Sequence, residues 1–165
     1  MRHALGISVH TGWAACVVVG GSLQKPEIVA RDIIEILGDA ERFCFHMAAE
    51  MKPPEAAEWF ARTRDKALAN ASRALAPFLT NEVVACAIVA REGKVGDLVQ
   101  VLASHSRIHS AEGSFYRDLL RDACPIPVHI VPPSSLDVSK VGKLMPPPWG
   151  KDQKLAALAA WKAIC

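Results

Sequence analysis

Three side chains with reactive groups stand close together near the start of the chain: Ser8, His10 and Thr11. A hydroxyl beside an imidazole can form a nucleophile with its base, but the pair also needs an orienting carboxylate and a sharp turn that exposes the nucleophile. Neither feature is visible in the neighbouring sequence. We therefore interpret these residues as part of a turn whose side chains hydrogen-bond to its own backbone.

Two of the six histidines, His105 and His109, stand four positions apart. On a helix this spacing would place both rings on one face, where they could bind a transition metal, with His10 as a third ligand from a neighbouring loop. The polar residues Ser106 and Arg107 between them favour a loop, and no acidic partner is fixed. We therefore predict polar loop histidines and no metal site, with His10, His105 and His109 as weak candidates.

Basic residues and one tryptophan are concentrated in a late segment of the chain. They are Lys140, Lys143, Trp149, Lys151 and Lys154. Lysines neutralise phosphates and an indole can stack on a base, so these residues form the candidate nucleic-acid-binding group. The alternative is a solvated loop in which the Trp149 side chain packs against the sheet.

The bulk composition of the chain limits its class. Its 165 residues, 51% of them apolar and 22% charged, predict one globular domain over residues 1–165. A net charge of +2 is small for a general nucleic-acid binder, so such binding would need a local patch.

The five cysteines form no C-x-x-C pair, which predicts reduced, mostly buried thiols and a cytoplasmic location. The sequence shows no secretion signal and no apolar run of a membrane-spanning helix, so we expect no membrane partner.

The hydrophobic pattern predicts three consecutive strands and then alternating helices and strands. The predicted strands cover residues 3–9, 13–19, 27–36, 83–90 and 127–131, and the predicted helices cover 39–51, 55–78, 97–104, 112–123 and 152–164. Asp39 and Asp97 are expected to cap the helices that they precede. An antiparallel meander followed by alternating elements favours an α/β fold with a five-stranded mixed sheet and helices on both faces.

Two segments of the sequence carry a resemblance to a known superfamily. The first is Leu5-Gly6-Ile7-Ser8 through Gly12, and the second runs from Val128-His129-Ile130-Val131-Pro132-Pro133-Ser134-Ser135-Leu136 through Lys140-Val141-Gly142-Lys143 to Lys151-Asp152. With the order of elements between them, they resemble the ribonuclease H-like superfamily, in particular the RuvC-like Holliday-junction resolvases. The resemblance covers a minor part of the chain and implies a ribonuclease H-like fold.

The resemblance also implies a catalytic site, because that family cleaves DNA with two divalent metal ions held by acidic side chains. In this sequence the acidic positions fall on Ser8 in the first strand, Glu92 after the fourth strand and Asp152 in the last helix. A neutral hydroxyl at Ser8 removes a negative charge that paired cations need, and Lys151 and Lys154 flank Asp152. We therefore expect a degenerate acidic site without a cofactor, and Mg²⁺ or Mn²⁺ only if the protein is a nuclease.

These observations favour a catalytically degenerate RuvC-like protein that binds DNA, RNA or a protein partner. One alternative is a divergent metal-dependent nuclease that uses Glu92, Asp152 and either His10 or His105. The other alternative is a structural protein that forms a homodimer through an apolar helix. Metal-dependent cleavage, metal-independent binding that falls with salt, and self-association that is insensitive to salt would distinguish the three.

Overall fold

The computed structural model describes residues 2–141 and 149–164, without the side chains of Lys140 and Val141. The strands are β1 His3–Val9, β2 Trp13–Gly21, β3 Pro26–Glu35, β4 Val83–Val89 and β5 Val128–Val131. The helices are α1 Cys44–Ala49, α2 Pro53–Leu75, α3 Leu98–Leu102, α4 His105–Ala123 and α5 Lys151–Ala163, with 3₁₀ turns at Ala76–Phe78, Pro133–Ser135 and Val138–Val141.

The five strands form one mixed sheet in the order β3-β2-β1-β4-β5. The first three strands make an antiparallel meander, whereas β4 pairs in parallel with β1 and with β5. This arrangement confirms the predicted five-stranded mixed α/β sheet. Because β1 and β4 are parallel neighbours at the centre, their carboxyl ends open at the same edge of the sheet.

The sheet is covered by helices on both faces, as the sequence predicted. Leu5 and Ile7 of β1 belong to the larger core, which the helices α1, α2, α3 and α4 complete. Ala4 belongs to the second core, which lies against α5. The alternation of side chains along β1 therefore sends every second residue toward α5.

The contact between β1 and α5 depends on Gly6, which has no side chain. A Cβ atom at this position would lie 1.8 Å from the backbone oxygen of Ala156 and 2.6 Å from its carbonyl carbon. Four alanines of α5 are also fully or almost fully buried, namely Ala156, Ala157, Ala159 and Ala160. Small residues on both elements thus let the helix backbone rest directly on the strand.

The hairpin turn between β1 and β2 requires Gly12. This residue has φ +85°, a left-handed conformation that favours glycine. Its carbonyl oxygen accepts hydrogen bonds from the backbone N–H groups of Ile36 and Leu37. The turn is thereby held against the segment that follows β3. This contact fixes the position of His10, two residues before Gly12.

The predicted helix over 39–51 is wrong at its amino end, since α1 begins only at Cys44. Asp39 does not cap a helix; its carboxylate pairs with the guanidinium of Arg42 at 3.1 Å. The Gly38 carbonyl accepts from the backbone N–H groups of Glu41 and Arg42, so this segment forms turns. By contrast, Asp97 caps α3 as predicted and accepts from the Val99 and Gln100 N–H groups.

The predicted loop at 105–110 is also wrong, because α4 begins at His105. Ile108, Ala111 and Phe115 are buried and extend the apolar stripe of the helix by a further turn. The polar residues between them lie on the exposed face, and the Ser110 hydroxyl donates to the backbone oxygen of Ser106. The polar composition therefore described the outer face of a helix.

The described cysteines agree with the predicted thiol chemistry. Cys16, Cys44, Cys86 and Cys124 are free and buried, and burial raises the pKa of Cys16 to about 12. Among the described residues, no helix combines the length and apolarity needed to cross a bilayer.

The close approach of Gly6 to α5 predicts a large effect of one methyl group. Gly6→Ala should lower the free energy of unfolding by about 3 kcal/mol, because the new Cβ would overlap the Ala156 carbonyl and force the helix away. Urea denaturation of both proteins measures this difference.

Gly113→Ala is the matched control, since a Cβ there meets no atom within 4 Å and the residue lies inside α4. This change should stabilise the protein by about 0.5–1 kcal/mol. Equal effects of the two substitutions would contradict the proposed packing constraint.

Candidate functional site: a cleft at the carboxyl edge of the sheet

A cleft of about 1190 Å³ opens where β1 and β4 end. Its walls come from β1 and the β1–β2 turn, the loop after β4, the outer face of α4, the segment after β5 and the first turn of α5. The side chains that matter for its chemistry are Ser8, His10, Arg91, Glu92, Lys94, His109, Lys151 and Asp152. The three positions assigned to the acidic site from the sequence, Ser8, Glu92 and Asp152, therefore line one cleft.

Asp152 is the centre of a small hydrogen-bond network. Its Oδ1 atom accepts from the Ser8 hydroxyl at 3.1 Å and lies 2.7 Å from Nε2 of His10. The His10 ring stacks on Trp13, with centroids 4.1 Å apart and an interplanar angle of 4°. The imidazole is thus held between an aromatic face and a carboxylate.

This network corrects the interpretation of Ser8 and His10 as side chains that bond to their own turn. The orienting carboxylate that the local sequence lacked comes from Asp152, which is 144 residues away from Ser8 along the chain. However, a nucleophile triad requires the hydroxyl to bond to the imidazole and the imidazole to the carboxylate. Here Ser8 and His10 both bond to the same oxygen of Asp152, so the carboxylate lies in the centre and the relay geometry is absent.

The charged residues that the structure describes around the cleft give a small excess of positive charge. Among the described residues that line it, the permanent cations are Arg91, Lys94 and Lys151, and the carboxylates are Glu92 and Asp152. Asp152 also lies in the first turn of α5, where the positive end of the helix dipole favours negative charge. An anion entering the cleft would therefore meet more positive than negative charge.

The loop after β4 carries two of these cations, and a buried arginine holds it in place. Arg117 is only 4% exposed and donates from Nη1 to the Arg91 backbone oxygen at 2.8 Å. It also donates from Nη2 to the Gly93 oxygen at 2.7 Å and from Nε to Asp118 at 2.9 Å. A side chain of α4 thus replaces regular secondary structure in fixing this rim of the cleft.

Among the described members of the predicted nucleic-acid-binding group, Lys151 alone lines the cleft. Lys154 is half-buried further along α5. Trp149 packs against the second core, and the Arg31 guanidinium lies 5.7 Å from its ring centroid. The Lys140 side chain and Lys143 lie outside the described part of the chain.

Sequence reasoning missed two of the cleft cations, Arg91 and Lys94. Both follow directly after β4, and the carboxyl ends of parallel central strands are where open α/β sheets bind ligands. That position is the signal that would have identified them. Composition alone could not, because isolated basic residues are common in surface loops.

The histidines are grouped differently from the prediction. His105 and His109 stand on the exposed face of α4, and their partner is His46 of α1, while His10 belongs to the Asp152 network. Within residues 2–141 and 149–164, these three histidines form the one group of at least three potential ligands that is close enough to hold a metal ion. The carboxylates of the cleft do not form such a group.

Comparison with known proteins places the fold. No family model matches the chain, and no curated protein matches its sequence. Among solved structures, the chain is similar to Thermus thermophilus RuvC in complex with a Holliday junction substrate, with a TM-score of 0.56, 12% identity, and coverage of 98% of this chain and 91% of that one. A second Thermus thermophilus RuvC structure matches with a TM-score of 0.49, 13% identity, and coverage of 97% and 92%. The fold is therefore RuvC-like and ribonuclease H-like, as the opening strand and the last helix suggested.

The role of Arg117 gives a prediction about the cleft rim. Arg117→Met should lower the free energy of unfolding by about 2–3 kcal/mol, because two loop carbonyls lose buried donors. Amide hydrogen exchange should also become faster over residues 91–96, which hydrogen-exchange mass spectrometry would detect.

Arg121→Met is the control, because Arg121 is exposed and pairs with the same carboxylate, Asp118. Its effect should stay within about 0.5 kcal/mol. Unchanged exchange over 91–96 in the Arg117 variant would show that other contacts hold the loop.

Proposed function

We propose that this protein binds the phosphate backbone of DNA or RNA in the cleft and does not cleave it by a two-metal mechanism. The observation that carries the proposal is the state of Asp152, whose Oδ1 atom already serves both Ser8 and His10. The central carboxylate of the cleft is thus engaged by protein donors, and the position beside it on β1 carries a neutral hydroxyl.

The electrostatic cost of holding two cations together supports the proposal that the cleft has no two-metal site. Two divalent ions about 4 Å apart repel by about 4 kcal/mol even in bulk water, and by several times more in a partly buried cleft. Carboxylates must offset this repulsion, because Mg²⁺ prefers anionic oxygen ligands. The described cleft offers Glu92 and Asp152 against three permanent cations, so its residues do not fit a pair of Mg²⁺ or Mn²⁺ ions.

The same charges suit a polyanion. Lys151, Arg91 and Lys94 lie around the cleft and can each neutralise one backbone phosphate. Such contacts position a nucleic acid without reading its sequence. The chain has a net charge of only +2, so binding of this kind would depend on these local cations.

The second candidate function is a divergent metal-dependent nuclease. It is favoured by the RuvC-like fold and by the location of Asp152 in the cleft. The ligands suggested for it from the sequence do not all converge, because His105 lies with His46 and His109 while His10 lies on Asp152. Cleavage of a four-way junction that needs Mg²⁺ or Mn²⁺ and is lost in Asp152→Asn would favour this candidate over simple binding.

A homodimer is the remaining alternative. The large apolar side chains that are exposed among the described residues are Leu23, Val29, Ile33, Phe43, Val84 and Val99. They come from strands, turns and the short α3, so they do not mark one apolar helix as the interface. Sedimentation at several protein and salt concentrations separates self-association from nucleic-acid binding.

The binding proposal predicts a specific dependence on salt. In a buffer with a chelator, labelled four-way junction, duplex and single-stranded probes should bind with affinity that falls as salt rises. Lys151→Gln should weaken binding and reduce the log–log salt slope by about 1, because one phosphate contact is lost. Fluorescence anisotropy measures both quantities, and the triple variant with Arg91→Gln and Lys94→Gln should lose most of the affinity.

Lys25→Gln is the matched control for this series. Lys25 is an exposed lysine in the β2–β3 turn, at the opposite end of the sheet from the cleft. Its removal changes the net charge equally but should leave the salt slope unchanged. Equal losses in Lys25→Gln and Lys151→Gln, or no binding at low salt, would refute binding in the cleft.

A second prediction tests the missing negative charge directly. Ser8→Asp should lower the apo melting temperature, because it buries a carboxylate beside Asp152, and Mn²⁺ should raise that temperature again. Ser8→Asn, of similar size but neutral, should not gain this response. Thermal melts with and without Mn²⁺ compare the two variants with the unmodified protein, and a strong Mn²⁺ response of the unmodified protein would contradict the proposal.

A further inference from the structure

A histidine cluster stands on the outer surface of the helical layer, outside the Asp152 network. His46 comes from α1, and His105 and His109 come from adjacent turns of α4. One ring nitrogen of each histidine lies within 4.8 Å of one nitrogen of each of the others. The ring centroids are separated by 4.5 Å for His105 and His109, 4.8 Å for His46 and His109, and 5.4 Å for His46 and His105.

The pair on α4 already has the spacing of two ligands on one ion. The Nε2 atoms of His105 and His109 are 3.0 Å apart. Two nitrogens bound to a tetrahedral Zn²⁺ at its usual bond lengths are separated by about 3.3 Å. Without an ion, this spacing is that of a hydrogen bond between the two rings, and the i, i+4 positions place both nitrogens on one side of α4, where a single ion could bind both.

The third histidine is oriented by a buried carboxylate. Nδ1 of His46 lies 2.8 Å from Oε1 of Glu112, and the His46 backbone N–H donates to the same oxygen at 3.3 Å. Glu112 is only 4% exposed. With Nδ1–H donating to this carboxylate, Nε2 of His46 keeps its lone pair free, which is the tautomer that a metal ligand needs.

The carboxylate is an independent reason to expect a cation at this place. A buried carboxylate is costly unless positive charge compensates it, and the partner that the structure shows is an imidazole. A divalent ion on the far side of that imidazole would supply the charge through the ring. In protein zinc sites, a ligand histidine commonly donates its other ring N–H to a carboxylate.

We propose that His46, His105 and His109 bind one divalent transition-metal ion of the zinc class, with Glu112 positioning His46. Three neutral imidazoles suit Zn²⁺ rather than Mg²⁺ or Mn²⁺, which prefer oxygen. The three nitrogens lie within 4.8 Å of one another, so an ion would require the exposed His105 and His109 side chains to rotate by a small amount. The fourth ligand position faces solvent, because His105 and His109 are exposed, and it takes a water molecule or another exchangeable ligand.

The ion would add a further link between α1 and α4, which the hydrogen bonds from His46 to Glu112 already join at this point. α1 has only six residues, and two of the three ligands lie in the first turns of α4. His109 also lines the cleft, so the site stands at its rim. The proposal is independent of nucleic-acid binding and of any cleavage.

The test uses the full chain after treatment with a chelator and its removal. Titration with ZnCl₂ against a chromogenic chelator should show one tight site per chain, and Co²⁺ in its place should give the intense visible bands of a tetrahedral centre. His105→Gln and His109→Gln should each weaken Zn²⁺ binding by roughly 100-fold or more. Loss of an outer carboxylate alone can cost that much, and these changes remove a ligand itself. Glu112→Gln should weaken it by about tenfold while keeping one site per chain.

His129→Gln is the control, since His129 is exposed on β5 and outside the cluster. It should bind Zn²⁺ like the unmodified protein. Zn²⁺ should also raise the melting temperature of the unmodified chain but not of the His105→Gln/His109→Gln double variant, whose changes lie on the helix surface. Affinities that are equal in all these proteins, or no tight site at all, would overturn the proposal whatever the result with nucleic acids.

Discussion

The backbone contact between β1 and α5 is the constraint on which the cleft depends. Gly6 allows α5 to rest on the central strand, because any side chain there would overlap the Ala156 carbonyl. The first turn of α5 is consequently brought over the end of β1, where Ser8 lies two residues after Gly6. Asp152 reaches Ser8 and His10 only because the helix lies this close.

The groups that surround Asp152 determine what its carboxylate can bind. A carboxylate at the start of the last helix could hold a divalent cation if other carboxylates faced it. Here a hydroxyl and an imidazole face Asp152, and both share one of its oxygens. The described residues around Asp152 are therefore a hydroxyl, an imidazole and the cations of the cleft rather than further carboxylates on the same oxygen. The loop after β4 adds the cations Arg91 and Lys94 to the cleft. Arg117 holds this loop by donating hydrogen bonds to its backbone oxygens.

The sequence predicted the sheet well because its signals were local. Alternating or continuous apolar runs and tight turns defined all five strands, and the same pattern gave their order along the chain. The sequence-based prediction was wrong at the beginnings of α1 and α4. It placed the start of α1 at Asp39 as a cap, and it interpreted the polar residues at the start of α4 as a loop. Asp39 forms an ion pair with Arg42 and does not cap a helix. The polar residues after Ser104 lie on the exposed face of a helix whose buried stripe begins with Ile108.

The candidate sites were harder to predict because they join distant parts of the chain. Asp152 meets Ser8 across 144 positions, and Glu112 meets His46 across 66. No local pattern shows such pairs. The helical spacing of His105 and His109 was visible, but their third partner was assigned to the wrong loop.

The error at the start of α4 also explains why the histidine cluster was underestimated. Once Ile108, Ala111 and Phe115 are recognised as one buried stripe, the helix must present its opposite side to solvent. His105 and His109 then share that side, and Glu112 takes an inward position from which it reaches His46. The same periodicity therefore gives the core, the rim of the cleft and the nitrogen ligands. The histidine cluster and the cleft are therefore neighbours on α4, because His109 belongs to the cluster and also lines the cleft.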